Sequence, residues 1–346
     1  MINGTTRAKP AITLWLSIVI LLVAAIIVVG GATRLTNSGL SITEWLPIKG
    51  TLPPLSHEAW LTEFEKYKQI PEFEAEHPDM DLSGFKFIYF WEWIHRVLGR
   101  LIGLAYVIPL IWFAARKALP QRKGWLFLLP AILIGVQGAI GWWMVHSGLQ
   151  EGMVSVSQYR LATHLGVAFI ILGVLYWLRK LTIHDFQRGS QGHLMRWRVR
   201  ILAGLVYVQI LAGAFVAGTK SGLSYNTWPL MDGDFIPQGY GVQSPFWRNL
   251  FENTPAIQFN HRMLAYILLA WAIWVWLRAR GTQLRGMATM FMVILLWQVL
   301  LGIFTLLTGA ENDGLHLALA LLHQFSSILV FITVLALWWK SRDYVR

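Results

Sequence analysis

The sequence predicts an all-α polytopic membrane protein, with eight transmembrane helices arranged as two four-helix bundles related by a pseudo-twofold axis. Three observations predict it. Eight apolar runs are each long enough to cross a bilayer, basic and acidic connections alternate between them, and the second half of the chain repeats the motif order of the first.

Composition sets the class. The chain is 55% hydrophobic and 14% charged, where a soluble domain carries charge on about a quarter of its residues. The net charge of +11 does not mark a nucleic-acid partner, because Lys and Arg cluster between alternate apolar runs instead of along one exposed face. It reports topology and attraction to anionic lipid headgroups. The chain has no cysteine. That excludes disulfides, thiolate catalysis, iron–sulfur clusters and Cys-x-x-Cys-His haem attachment, leaving His, carboxylate or Met to hold any metal.

The first apolar run starts near Ala11, behind a short tail with Arg7 and Lys9, and continues to Ala32. It is too long for a signal-peptide core and lacks a convincing cleavage site, so it reads as a retained helix. With no presequence before it, a bacterial inner membrane is expected. The remaining spans fall at 87–113, 125–145, 160–178, 201–218, 257–277, 287–309 and 315–339, after a first at 11–33. One set of connections is short and basic: Arg116, Lys117, Arg122 and Lys123; then Arg179 to Arg200; then Arg278, Arg280 and Arg285; then the tail with Lys340, Arg342 and Arg346. The other set holds most of the acid, from Glu58, Glu63, Glu65, Glu72, Glu74 and Glu76 to Asp232, Asp234, Glu311 and Asp313. Both termini are therefore expected in the cytoplasm, with long loops at 34–86 and 219–256 outside. Within the first loop, Trp60, Phe64 and Tyr67 recur at helical spacing among charges. Ala59–Gln69 thus reads as an amphipathic helix, on the membrane surface, capping a site, or simply solvated.

The repeat is explicit. Asn37-Ser38-Gly39-Leu40-Ser41, Trp45 and Gly50 recur as Lys220-Ser221-Gly222-Leu223-Ser224, Trp228 and Gly233 at an offset of 183. Gly30 pairs with Gly213, His95-Arg96 with His261-Arg262, Gln137 with Gln298, Gly141 with Gly302 and His164 with His323, the offset shrinking to 159. Four helices per half make both halves enter the membrane from the same side. The expected division is 1–185 and 186–346.

Of ten histidines, the repeat pairs His95, His164, His261 and His323, all within predicted helices. Each half offers two, from two different helices of one bundle. Two imidazoles facing each other among Trp, Phe and Leu suit a planar iron macrocycle. The competing reading is a buried histidine satisfied by a carbonyl, which four histidines obeying a repeat disfavour. Zinc or di-iron is disfavoured because no Glu-x-x-His motif is doubled. Arg96 and Arg262 follow their histidines and could pair with haem propionates. For Arg96 the alternative is an i,i+4 ion pair with Glu92. Arg100 has Tyr266 as its counterpart, and the sequence gives no account of it.

One position separates the halves. Glu92 stands one helical turn before His95, and its counterpart before His261 is Gln258. A carboxylate can move protons or stabilise developing positive charge; an amide cannot do the acid–base work. The first half reads as a reaction site and the second as a permanent cofactor site, against the alternative that Glu92 merely pairs with Arg96.

These residues carry a resemblance. Gly30-Gly31-Ala32-Thr33-Arg34-Leu35-Thr36 with Ser38-Gly39-Leu40-Ser41, Glu92-Trp93-Ile94-His95-Arg96, Asn260-His261-Arg262 and His323-Gln324 together resemble the haem A synthase family over nearly the whole chain. Phe64-Glu65-Lys66-Tyr67-Lys68-Gln69-Ile70-Pro71-Glu72 looks like its alphaproteobacterial and mitochondrial branch. The resemblance implies oxidation of a ring methyl group of haem O to a formyl group, giving haem A for cytochrome oxidase. It implies haem b as cofactor on His261 and His323, the substrate haem at His95 and His164, and Glu92 as the catalytic glutamate. Haem O synthase and cytochrome oxidase assembly factors are the partners it implies. Some relatives carry an outer-loop cysteine pair that this chain lacks, so no thiol acts there. A di-haem b-type electron-transfer protein is the nearest alternative, and a transporter with parallel repeats a more distant one.

Overall fold

The computed structural model describes residues 4–45, 49–120, 124–183, 193–311 and 314–342. Arg122, Lys123, His184, Arg188, Asp313 and Arg346 lie outside the described residues, as do the side chains of Arg7 and His193. Among the described residues, eight helices are long and apolar enough to span a membrane: Lys9–Leu35, Leu82–Ala115, Gly124–Gly148, Gln158–Ile183, Leu194–Gly218, Thr254–Ala279, Arg285–Leu307 and Gly314–Lys340. Among the described residues there is no strand, only an isolated bridge between Met231 and Asp234. Side chains such as Leu14, Leu21, Ile111, Ile132 and Val293 remain exposed on these helices. A helix apolar on every face is what lipid on the outside and protein on the inside require.

The chain divides into two compact units, Met1–Asp185 and Phe186–Arg346. The first contains α1 (Gly4–Leu35), α2 (His57–Lys68), α3 (Pro71–Glu76), α4 (Leu82–Ala115), α5 (Leu128–Gly148) and α6 (Gln158–Ile183). Its spanning helices close a ring, with α1 and α5 each packed on both α4 and α6. The second contains α7 (His193–Gly218), α8 (Asn249–Glu252), α9 (Thr254–Ala279), α10 (Arg285–Leu307) and α11 (Gly314–Lys340). There, α7 and α10 each pack on both α9 and α11.

The second span begins five residues before the sequence places it, and the reason is physical. A helix of 34 residues is about 51 Å long at 1.5 Å per residue, well beyond a hydrocarbon core of about 30 Å. The first turns of α4 therefore project past the membrane and offer an apolar face to the loop before them. Phe85, Ile88 and Tyr89 of that face join Ile42, Phe64 and Tyr67 in a buried cluster. Phe64 stacks on Phe85 at 4.9 Å, and Trp60 meets Tyr89 edge-on at 4.9 Å. Ser56 caps α2 by accepting from the Ala59 N–H at 3.1 Å. The amphipathic segment thus caps the end of its bundle. Asp81 and Asn253 fix the starts of α4 and α9 in the same way, accepting from Gly84 and Ala256.

Candidate paired histidine sites

In the first unit His95 on α4 faces His164 on α6, with ring centroids 6.4 Å apart and planes inclined by 56°. Two imidazoles sharing one metal at bonds of about 2 Å would hold their centroids about 6 Å apart, so the donor pair fits a single iron between them. Each ring lies against a glycine of a neighbouring helix. A Cβ at Gly30 would come within 2.9 Å of His95, and one at Gly141 within 3.0 Å of His164. Nδ1 of both rings is buried with no hydrogen-bond partner. Buried nitrogens are rarely left so. Among the described residues no cluster of three or more His, Asp or Glu offers a metal site of another kind.

The second unit repeats the arrangement. His261 on α9 and His323 on α11 lie within electrostatic reach of each other. Gly213 and Gly302 crowd them in turn, with a Cβ at 3.3 and 2.9 Å. Glutamines supply a further contact. Gln298 Nε2 lies 3.2 Å from His323 Nδ1, and Gln209 Nε2 lies 3.1 Å from His261 Nδ1 while donating to the His261 carbonyl at 3.0 Å. In the first unit Gln137 donates to the His164 carbonyl at 2.9 Å. His95 has no such glutamine, since the position matching Gln209 is Ile26.

Beside the rings sits an arginine clamp whose two main carbonyl contacts the repeat reproduces. Arg96 donates from Nη2 to the Ile42 carbonyl at 2.7 Å and from Nη1 to the Glu44 carbonyl at 2.8 Å. Arg262 donates to the carbonyls of Tyr225 and Thr227 at 2.8 and 2.9 Å, the same two positions 183 residues on. The turn before each loop has Asn37 at φ 47° and Lys220 at φ 52°, the left-handed region that Asn tolerates better than Lys. Each arginine also grips the residue four before it: Arg96 Nη2 reaches Glu92 at 2.6 Å, and Arg262 Nη2 reaches the Gln258 carbonyl oxygen at 3.0 Å. The i,i+4 ion pair with Glu92 expected as one reading of Arg96 is present.

The loops then differ to suit what they hold. Glu92 is buried, 3% exposed, and every contact donates to it. Ser41 Oγ and the Ile42 N–H reach Oε2 at 2.8 Å each, while Arg96 Nε and Nη2 reach Oε1 at 3.1 and 2.6 Å. All four contacts are donors, which suits the acceptor-only oxygens of a carboxylate. Gln258 instead donates from Nε2 to the Ser221 carbonyl at 2.8 Å, an acceptor no carboxylate could use.

The sequence reading missed Glu72, which it saw only as one acid among many in the loop. Glu72 is buried on α3 at 5% exposure. Tyr67 Oη donates to it at 3.3 Å and lies 2.8 Å from His77 Nδ1. Burial, then the charge of Glu92, pushes the Glu72 carboxyl up to about 8; the Tyr67 bond and Arg34 act against them. The carboxyl is therefore mostly neutral at pH 7 and becomes charged above about 8. Burial raises Tyr67 as well, helped by Glu72 and Glu92, so it stays a phenol.

Fold and sites together define a polytopic helical membrane protein in which each four-helix unit carries a half-buried histidine pair. The model for the cytochrome oxidase assembly protein family matches residues 13–335, and the chain belongs to that family. It is 45% identical to the heme A synthase of Paracoccus denitrificans, over 99% of this chain and 90% of the relative. With the heme A synthase of Maricaulis maris it shares 46% identity over 99% of each chain, and with that of Caulobacter vibrioides 44% over 97% of each.

Proposed function

We propose that this chain is a haem A synthase, a membrane oxidoreductase that converts a ring methyl group of haem O to a formyl group and so supplies haem A for cytochrome oxidase. Family membership and full-length similarity to heme A synthases support the activity. The division of labour rests on one observation: the two clamps are alike, but one closes on a fully donated carboxylate and the other on an amide.

In this reading the first half, 1–185, receives haem O between His95 and His164, and the second, 186–346, keeps a resident haem b between His261 and His323. Resident haem b would supply one-electron transfer away from the reaction. Glu92 lies one turn from His95, its carboxyl group held in place by four donor contacts before substrate arrives. A preorganised negative group of this kind stabilises positive charge developing at the oxidised carbon without reorganising. Arg96 positions Glu92 and ties it to the loop at Ile42 and Glu44, and Arg262 does the same for Gln258. The glycines opposite each ring keep the histidines in register while leaving the space between them. The acid-rich loops face outwards and the basic connections lie inside with both termini, in a bacterial inner membrane. The basic side also attracts anionic lipid. Haem O synthase and oxidase assembly factors are the partners that would deliver substrate and take product.

The test is chemical. Purified protein is supplied with haem O and a one-electron acceptor, and the extracted macrocycles are identified by mass. Formyl-bearing haem A is expected. Chemically unchanged haem would leave a di-haem electron-transfer protein and sink the synthase reading.

A further inference from the structure

We propose that Glu72, Tyr67 and His77 form a proton relay that serves the Glu92 site and opens to water at the surface beside α3 and the start of α4. The inference rests on the synthase reading and adds to it the route by which protons leave.

The need for a route follows from the reaction. With water as the oxygen source, R–CH3 + H2O gives R–CHO + 4 H+ + 4 e−. The electrons go one at a time to the acceptor, and four protons per haem need a path out of a buried site. Glu92 is poorly suited to carry them onward alone, because both its oxygens are held by donors. Glu72 is the next acid. Among the described residues Glu72 and Glu92 are the buried carboxylates, and both belong to the first unit. The second unit places amides at its loop end, with Asn249, Asn253 and Gln258 buried there. Buried acid thus accompanies only the half assigned to chemistry.

Geometry gives the outer hops, from Glu72 onwards. Tyr67 Oη touches both Glu72 Oε2 and His77 Nδ1. With its hydroxyl turned from Glu72 to His77, Tyr67 takes a proton from Glu72 on its oxygen as its own proton passes to His77 Nδ1, so one O–H bond breaks for each bond formed and Tyr67 ends unchanged. His77, Glu76, Asp79 and Asp81 line an open depression, which takes the proton to water. The ring of Tyr67 is fixed by Phe73 and Phe85 at 5.8 and 5.5 Å. The same loop is coupled to the clamp: Asn37 donates to Glu76 at 3.1 Å, and Ile42, whose N–H reaches Glu92, packs in the cluster with Tyr67. The charged and titratable groups facing Glu72 are Glu92 from α4, Arg34 from α1, Tyr67 from α2 and Glu76 from its own helix.

The experiment follows haem A formation from haem O against pH, with bound haem read by absorption, in the full-length protein. A relay that must accept protons works as Glu72 loses its own, so the wild-type rate should climb as pH rises through about 8. Glu72→Gln should retain haem, fall at least tenfold in rate and lose that climb; Glu72→Asp should recover it. An amide can still accept from Tyr67, so a merely structural Glu72 would leave rate and profile of Glu72→Gln as in the wild type, and that result overturns the relay. If Glu72→Gln loses its haem, Tyr67→Phe decides, since it keeps the ring packing and removes the hydroxyl: a wild-type profile there overturns the relay. Should the wild type form no haem A at any pH, the synthase reading fails, and the relay with it.

Discussion

Around His95 and around His261 the chain builds the same turn and the same two carbonyl contacts, at positions 183 residues apart, and closes on them with the same arginine. What the arginine holds is different, and the neighbouring loop has changed with it. Ser41 and the Ile42 N–H turn towards Glu92 as donors, whereas the Ser221 carbonyl turns towards the Gln258 amide as an acceptor. A lone exchange of Glu for Gln would have left buried groups unmatched, at roughly 1–3 kcal/mol each. Two complementary surroundings show that each half is built for its own residue. The lesson is that one scaffold recurs in both halves, and the halves differ in which of them buries a carboxylate beside its arginine.

The largest effect should come from breaking the resident site. His261→Ala should remove haem b almost completely, visible as loss of its absorption in the purified protein. His95→Ala should leave that absorption and stop haem A formation. If both variants lose the same pigment, the two pairs do not have separate tasks.

Next comes the residue that distinguishes the halves. Glu92→Gln should lower haem A formation by about 100-fold, the scale for removing one preorganised electrostatic group, with bound haem unchanged. Normal product formation would remove Glu92 from the mechanism. The reciprocal Gln258→Glu should not create a second reaction site. It sets a carboxylate against the Ser221 carbonyl, and a lower thermal midpoint is expected.

How much of this could be read in the sequence depends on which groups carry the signal. All eight spans were legible, because lipid demands apolar side chains over a fixed length and hydropathy records them. The repeat and the four paired histidines were legible too, as side chains recurring in order. The clamp was not, because Arg96 and Arg262 bind backbone carbonyls, and a carbonyl leaves no trace in residue type. Glu72 was hidden among the neighbouring acids Glu65, Glu74 and Glu76; only the folding of the loop buries it. Gln209 was invisible to the repeat because its counterpart is Ile26. The glycines were seen as repeat markers, without the reason that a histidine fills the space above each.

That space gives a finer comparison. A Cβ at Gly30 or Gly302 would meet its histidine ring at 2.9 Å, against 3.3 Å for Gly213. The ring must move in the first two cases and yield only slightly in the third. Gly302→Ala should therefore weaken retention of the resident haem more than Gly213→Ala, although both act on the same site. Equal losses measured by absorption after dilution would show that the rings are not held by this contact.

The smallest effect, and the sharpest test of the division between resident and passing haem, lies at Gln209 and Ile26. Partners that orient a metal-binding histidine typically change affinity by 10–100-fold when removed. Gln209 contacts the His261 ring and its carbonyl together, so Gln209→Leu should speed haem loss from the second half by about tenfold. At the matching position the first half has only an aliphatic side chain, which suits a site where substrate has to leave as product. Ile26→Gln should slow release of haem A while leaving the resident haem alone. The two substitutions thus push in opposite directions at matching places, and release rates followed separately for each pigment would read both. If Ile26→Gln left release unchanged while Gln209→Leu loosened haem b, the contact would matter for holding haem b but would not explain why the first half lets its haem go.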